Sequence, residues 1–470
     1  MSSVLFALWM AFPSSSTFQT AEPGPNGYWA SEGYGLMVTI EDSSLVIHEL
    51  TAISCLAQPD ALVRLPDEDG HRAYGASVDG EPSILVLSGD APERKRLRRP
   101  GTASDILVRR ITAPPQSCAS PPAATPTAML ELFIRTWEEH YILFDQKMVD
   151  WSALAKLARA RVTDASTPRE LFDMLAGLIT PFEDVHTGLS APELGSVRGA
   201  RAGTDAVIPG GIEALAANGP GWFFAEVAPH LFAPTNEHLN GPLRRFCNDQ
   251  VQFALIGDDV GYLRLLSFSG YADGGYRADR RCLDDALDSF FAELVGFRGM
   301  VIDVRVNFGG DDPLGLAIAE RLATTEYTAY RKEARADPSD RTKWTPGQPS
   351  VVRPSARPGF RGPVVELTGP LTISAGETFT QALMGRVPKI ARVGEHTQGV
   401  FSDVLSRHLP NGWRFWLPNE VFRDAEGRTF DGPGIPPTDP VPVFAPADVA
   451  AGRDPGLERA LALLPASRRP

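Results

Sequence analysis

The chain has 470 residues, 43% hydrophobic and 22% charged, ordinary for soluble globular protein and long enough for two or three domains with a large core. A formal net charge of −13 argues against nucleic acid or an anionic membrane as the main partner. The one basic run, ERKRLRR at 93–99, reads as a solvated loop.

At the N-terminus, VLFALWMAF followed by PSSSTFQTA has the form of a short signal-peptide core with a small-residue exit, although no Lys or Arg precedes Arg64. Residues 1–27 are therefore a candidate leader, and an extracytoplasmic location is the expectation. No other apolar stretch approaches the about 20 residues of a membrane span. The four cysteines fall in two local pairs, Cys55 with Cys118 and Cys247 with Cys282. The even count fits two disulfides in an oxidising compartment, with four buried free thiols as the alternative. No Cys spacing or His cluster has metal-ligand form, so neither metal nor cofactor is expected.

YGLMVTIEDSSLVIHELTAIS and SILVLSG read as short strands joined by polar turns, which makes 28–112 a small β-rich domain without a catalytic signature. The Pro/Ala/Ser run APPQSCASPPAATPT, 113–127, is a linker. Helices follow over 128–190. Thr125 caps the first, Pro126 suits its first turn, and Met129, Phe133, Trp137 and Tyr141 recur every four residues. Thr167 and Glu170 form a capping box around Pro168 for the next, whose buried face is Leu171, Met174, Leu175 and Leu178. That helix runs out into PFEDVHTGLS. Residues 191–250, rich in Gly, Pro and Ala, read as an irregular connection.

From Val251 the pattern alternates strand and helix. VQFALIGDDVGYLRLLSF reads as a hairpin turning at 257–259, and Leu283, Leu287, Phe290, Phe291 and Leu294 mark an amphipathic helix. GMVIDVRV is a buried strand, NFGGDD a turn, and Pro313 opens a helix behind Asp312. GPVVELTG, KIARVGE and WRFWLPN are further strands. Residues 251–445 thus form an α/β core whose functional groups belong on the turns after strands, and 446–470 is a tail.

Three turns carry candidate chemistry. In LTISAGETFTQAL, Ser374 stands at a strand-to-helix corner before Ala375 and Gly376. It is either a helix N-cap or a nucleophile beside N–H groups able to hold an oxyanion. In RVNFGGDD, Gly309 and Gly310 follow a buried strand; they make a tight turn, or bring a backbone N–H close to a ligand. In EDVHTG, His186 is flanked by acids, and a lone loop histidine is more often structural or solvated than catalytic.

Together these turns resemble a known family. GMVIDVRVNFGG, LTISAGETFTQAL, VGEHTQGVFSD, LPNGWRFWLP and DGPGIPPTDPV stand in the order found in tail-specific, or C-terminal processing, serine peptidases. Upstream, LFIRTWEEHYILFDQKMVDW and DVHTG are similar to the leading part of the tricorn-core and retinoid-binding-protein branch. The likeness covers about residues 127–445 and leaves the β-rich N-terminal part outside.

The resemblance implies a crotonase-like (ClpP/crotonase) α/β core, preceded by the helical segment and the β-rich domain. Ser374 would attack a peptide carbonyl, with Gly309 or Gly310 and Ala375 supplying N–H groups to the oxyanion, and Glu377 would be structural. Many processing proteases place a lysine base shortly after the GExTxG motif; here that position is Val400. The tricorn-like arrangement implies His186 as base instead, though its usual preceding serine is Val185 here. Asp431 stands where that branch has a glutamate and would orient the imidazole, with Asp184 as competitor. A PDZ module usual in the family is not evident in 190–250. The expected activity is hydrolysis of peptide or protein substrates. A non-catalytic carrier of apolar ligands and an acyl-CoA enzyme of the same fold are the alternatives; the first predicts erosion of the serine, the histidine or the glycine pair, and the second gives Ser374 no role.

Overall fold

The computed structural model describes residues 24–466 apart from 79–80, 90, 200–206 and 209; the signal-like stretch at 4–12 lies outside them. Nine strands open the chain: β1 (Gly27–Ser31), β2 (Leu36–Ile40), β3 (Ser44–Thr51), β4 (Ser54–Ala57), β5 (Leu62–Glu68), β6 (His71–Val78), β7 (Glu81–Ser88), β8 (Arg94–Arg98) and β9 (Ile106–Ile111). Neighbours in sequence pair antiparallel, β3 pairs with β2 on one side and β5 on the other, and β9 returns to β1. Eight strands therefore close on themselves, with β4 appended to β3. Closure removes the unpaired edges of an open sheet. Alternate residues fill the interior, among them Trp29, Val38, Ile40, Leu45, Tyr74, Leu87, Leu97 and Val108.

Cys55 on β4 is bonded to Cys118 in the linker, and Cys247 to Cys282. The barrel then docks on the rest of the chain through polar contacts. Glu49 accepts from the backbone N–H of His408 at 2.7 Å, the Ala52 N–H donates to Glu139 at 2.9 Å, and Gln348 exchanges hydrogen bonds with the Asp105 backbone.

The helices Pro126–His140 and Pro168–Ile179 start where their caps predict. Thr125 accepts from Ala128 N, and Thr167 and Glu170 form the full capping box. Their apolar faces, with Phe133, Trp137 and Tyr141 at full burial, pack on Trp413 and on Phe415 and Leu417 of the strand Arg414–Pro418 that follows it. That strand lies in a four-stranded sheet between Gly188–Ala191 and Val404–His408, with Gly195–Arg198 outermost.

The central sheet holds, in spatial order, Arg244–Phe246, Val251–Ile256, Val260–Leu265, Gly299–Asp303, Val364–Thr368, Ala391–Gly394 and Asp439–Pro440. From Val260 onward every pairing is parallel. The expected hairpin is present, Val251 opposite Leu265 and Ile256 opposite Val260. Helices Tyr276–Glu293, Asp312–Leu322 and Ala375–Met384 pack one face of it around Phe268, Leu287, Phe290, Leu314 and Phe379.

Two stretches are more ordered than the sequence pattern indicates. Residues read as an irregular connection contain helical segments over Gly211–Trp222 and Ala228–Glu237 joined by a wide turn. Their glycines and Pro234 hide the period, and Phe223, Val227 and Phe232 bury against Leu266, Val306 and Leu371. The tail ends in a helix, Pro455–Leu463, whose N-cap Asp454 accepts from Leu457 N. The same carboxylate meets Arg305 at 2.8 Å through both oxygens, and Arg305 also bonds Asp303 at 2.7 Å. This guanidinium is 2% exposed, so it needs both acids. Despite burial, Arg305 holds Asp454 down to about 2 from 3.8. Removing the acid in Asp454→Ala strands a buried cation, and chemical denaturation at neutral pH should show a loss of about 3–5 kcal/mol. In the unmodified chain that contribution is full above pH 3.8 and fades as pH falls through about 2.

Candidate active site

A two-residue parallel ladder builds the site. Val306 pairs with Leu371 and Asn307 with Thr372, and the Ile373 N–H donates to the Asn307 carbonyl at 2.9 Å. Each short strand runs straight into one of the turns singled out in the sequence. The turn bearing Gly309 and Gly310 is thereby set against the corner bearing Ser374. A methyl group on Gly309 would stand 2.6 Å from the Ser374 Cβ and 3.0 Å from the Ala375 nitrogen, so glycine is required there sterically as well as by its φ of +83°.

Ser374 precedes the helix Ala375–Met384 but does not cap it: its side chain makes no capping hydrogen bond. Its backbone, φ 56° and ψ −121°, lies in a region costly for a residue with a Cβ. Gly376 explains the loss of bulk after the serine, because a Cβ there would meet the Asn307 Oδ1 at 2.8 Å.

Asn307, fully buried, is the residue that sequence reasoning missed. Its amide donates to the Leu265 carbonyl and its Oδ1 accepts the Gly309 N–H, both at 3.0 Å. The Gly309 carbonyl accepts from Phe268 N, and Asp311 N donates to the Phe268 carbonyl. The Gly309 N–H is thus occupied, whereas those of Gly310 and Ala375 have no hydrogen-bond partner among the described residues. Its place in the RVNFGG run was the available signal.

His186 arrives from the other sheet, two residues before Gly188, which pairs with Trp416. Its backbone N–H donates to Asp184 Oδ1 at 2.8 Å, and Thr187 bonds the Asp184 carbonyl through both N–H and hydroxyl. The flanks of the two candidate residues touch: Val185 packs with Ile373 and Val400, and Phe308 covers them. Burial pushes the imidazole below its ordinary 6.5, against the raising effect of Asp184 and Asp403 and with a lowering effect of Arg198 and Lys147. Its Nδ1 is buried without a partner, as are Asp184 Oδ2, Tyr141 Oη and Asp431 Oδ2.

Two carboxyls hold the loop between Thr397 and Asp403. Glu377 accepts the Thr397 hydroxyl at 2.5 Å, Gly399 N at 2.6 Å and Val400 N at 2.7 Å. Asp431 accepts Phe401 N at 2.9 Å. Burial pushes Glu377 up to about 7, partly offset by those donors, and Asp431 up to about 8, with Glu377 and Asp184 adding to the rise. Asp431 is therefore mainly neutral at pH 7. Among the described residues no group of three or more His, Cys, Asp or Glu has the form of a metal site, and no helix is long and apolar enough to cross a membrane.

Residues 122–180 match the model of the tricorn protease C1 domain, and residues 259–441 match that of peptidase family S41. The chain thus carries a region of peptidase family S41, and that match supports a serine-type peptidase. Among solved structures, a candidate peptidase from Parabacteroides merdae is similar at 24% identity and a TM-score of 0.59, over 73% of this chain and 98% of that one. Mature CPAF is similar at 12% identity and 0.52, over 72% and 95%. These likenesses concern the fold. No curated protein sequence matches the chain. The S41 match implies peptide or protein substrates.

Glu366, at the centre of the sheet, resembles the two site carboxyls: fully buried, bonded to Thr380 and pushed by burial up to about 7 from 4.5. All three bind protons more tightly folded than unfolded, so their contribution to stability is complete below about pH 4.5 and is lost as pH rises through 7 to 8. Denaturation midpoints measured across that window should fall with pH, and Glu366→Gln, which cannot ionise, should flatten the fall.

Proposed function

We propose that Ser374 is the nucleophile of this peptidase, His186 its general base, and the N–H groups of Gly310 and Ala375 the oxyanion donors. The observation that carries the reading is the strained, uncapped Ser374 pressed against the glycine turn, with the two uncommitted N–H groups on either side. In the acylation step His186 removes the hydroxyl proton as Oγ bonds the carbonyl carbon. The carbonyl oxygen takes the charge between the two N–H groups, and His186 returns the proton to the departing amine. Water then repeats the sequence to release the acyl group. Gly309 is assigned a steric role, since Asn307 already accepts its N–H.

Asp184, rather than Asp431, is assigned to orient and stabilise the imidazole. It is the strongest anionic influence on His186 and fixes that residue's backbone, whereas Asp431 is mainly neutral and tied to Phe401. Lys332, buried beside Asp403, is unsuited as base: burial opposes its charge, but Asp403, Glu420 and Asp312 outweigh burial and hold it well above its ordinary value. We read the parallel strands and their helices as a crotonase-like core spanning about 251–445, with the barrel as a separate unit ending near 112. The two disulfides favour an oxidising, extracytoplasmic location.

A fluorophosphonate probe should label Ser374 in the unmodified protein and fail in Ser374→Ala and His186→Ala, as read by peptide mapping. Asp184→Asn should lower kcat/KM on a mixed peptide library by about 10²–10⁴, while Asp431→Asn, replacing a neutral acid with a neutral amide, should cost less than about tenfold. An Asp431→Asn loss equal to that of His186→Ala would transfer the orienting role to Asp431.

A further inference from the structure

One set of buried charges outside the assigned machinery forms a connected chain. In the β1–β2 turn of the barrel, Tyr34 donates its hydroxyl to Glu420 Oε1 at 2.6 Å. Glu420 Oε2 lies 3.2 Å from the Lys332 ammonium, which also hydrogen-bonds Asp403. Lys332 is 2% exposed at its side chain, whereas Asp403 remains 43% exposed, so the chain runs from a buried cation to a partly exposed carboxylate.

The sheet register brings that carboxylate to the histidine. Gly188 pairs with Trp416, and Trp416 pairs on its other side with Ser406. The strands beginning at Gly188 and Val404 therefore run parallel, one strand apart, and start at the same end. His186 and Asp403 stand just before those starts, about two strand spacings of ~4.8 Å apart. The anchoring of Asp403 is independent of the catalytic carboxyls: Ser402 donates to the Asp403 carbonyl and accepts the N–H groups of Asn419 and Glu420. Arg407 adds a second link to the barrel by donating to the Tyr34 and Gly35 carbonyls.

The geometry points to Asp403 and Lys332 as positioning residues for His186, with Tyr34 making the N-terminal barrel a working part of the catalytic unit through Glu420. This rests on the assignment of His186 as base. Around His186 the charged groups are Asp184, Asp403, Arg198 and Lys147. Around Asp403 they are Lys332, Glu420, His186, Asp311 and Asp312. Asp403 favours the imidazolium, the form His186 adopts in the transition state, and Lys332 moderates that field. Burial pushes Glu420 up to about 7 from 4.5, while Lys332 and the Tyr34 hydroxyl oppose that rise, so loss of the hydroxyl weakens the hold of Glu420 on Lys332 and leaves more of the cation to Asp403.

The rate of fluorophosphonate labelling of the full chain, followed between about pH 5 and 9, reads the His186 midpoint directly. Asp403→Asn removes an anion and should move the midpoint down by about half a unit or more, with Asp403→Glu restoring it. Tyr34→Phe should move it the same way by less, with the melting temperature of both variants taken alongside. An unmoved midpoint in folded Asp403→Asn overturns the inference while leaving Ser374 and His186 in place. If Asp403→Asn does not fold, Tyr34→Phe decides on the same criterion. Failure of the unmodified protein to label at Ser374 would instead overturn the catalytic assignment, and this inference with it.

Discussion

The site depends on a backbone crossing with no room in it. Two short strands, Val306–Asn307 and Leu371–Thr372, pair in parallel and then diverge into two turns that touch. At the contact, Gly309 faces the Cβ of Ser374 and Gly376 faces the Asn307 amide, each closer than a methyl group allows. The absence of side chains there holds a serine in a strained conformation between two turns whose Gly310 and Ala375 N–H groups have no hydrogen-bond partner among the described residues. A strained residue of this kind persists when its surroundings over-determine it. Here Asn307 does much of that, bonding the core strand on one side and the glycine turn on the other.

Buried carboxyls do two different jobs around this crossing, and burial decides which. Glu377 and Asp431 accept backbone N–H groups of the loop that follows Thr397, and burial has moved both toward neutrality. They act as hydrogen-bond acceptors more than as charges, holding Val400 against Ile373 and Val185. Asp184 and Asp403 differ because cations stand near them: Lys147 lies 4.0 Å from Asp184, and Lys332 bonds Asp403. At Asp403 burial raises the carboxyl, but Lys332 outweighs it and holds the group below its ordinary 3.8.

Local chemistry made part of this legible in advance. Caps at Thr125 and at Thr167 with Glu170 mark helix starts because they act over three residues, and the hairpin from Val251 is legible through its alternation and glycine turn. The serine corner and glycine turn are visible as breaks in strand pattern. What no spacing reveals is which N–H in that turn is free, since the answer depends on where the Asn307 side chain goes. Closure of the barrel is hidden for a similar reason, being decided by β9 meeting β1 across about eighty residues. The helices within 211–237 escape notice because Gly219, with φ 78° inside the run, and Pro234 break the period while apolar burial holds the segment.

The lysine question resolves differently in space than along the chain. Val400 occupies the place where a lysine base would be expected and packs against Ile373 and Val185, so an ammonium there would be buried in apolar surroundings. A lysine does reach this neighbourhood, but from the strand Tyr327–Asp337, and it enters among carboxylates. A base must be able to lose its proton near neutral pH, which for lysine requires desolvation without a nearby anion. Lys332 has the desolvation and also several anions, and the anions win. Its proton is held, and its charge goes into fixing Asp403 and Glu420 instead. On the proposed assignment proton transfer then falls to the imidazole, whose ordinary 6.5 needs no large displacement to serve. Once the lysine is committed to structure, the histidine is the group in this cleft suited to exchange a proton with the serine.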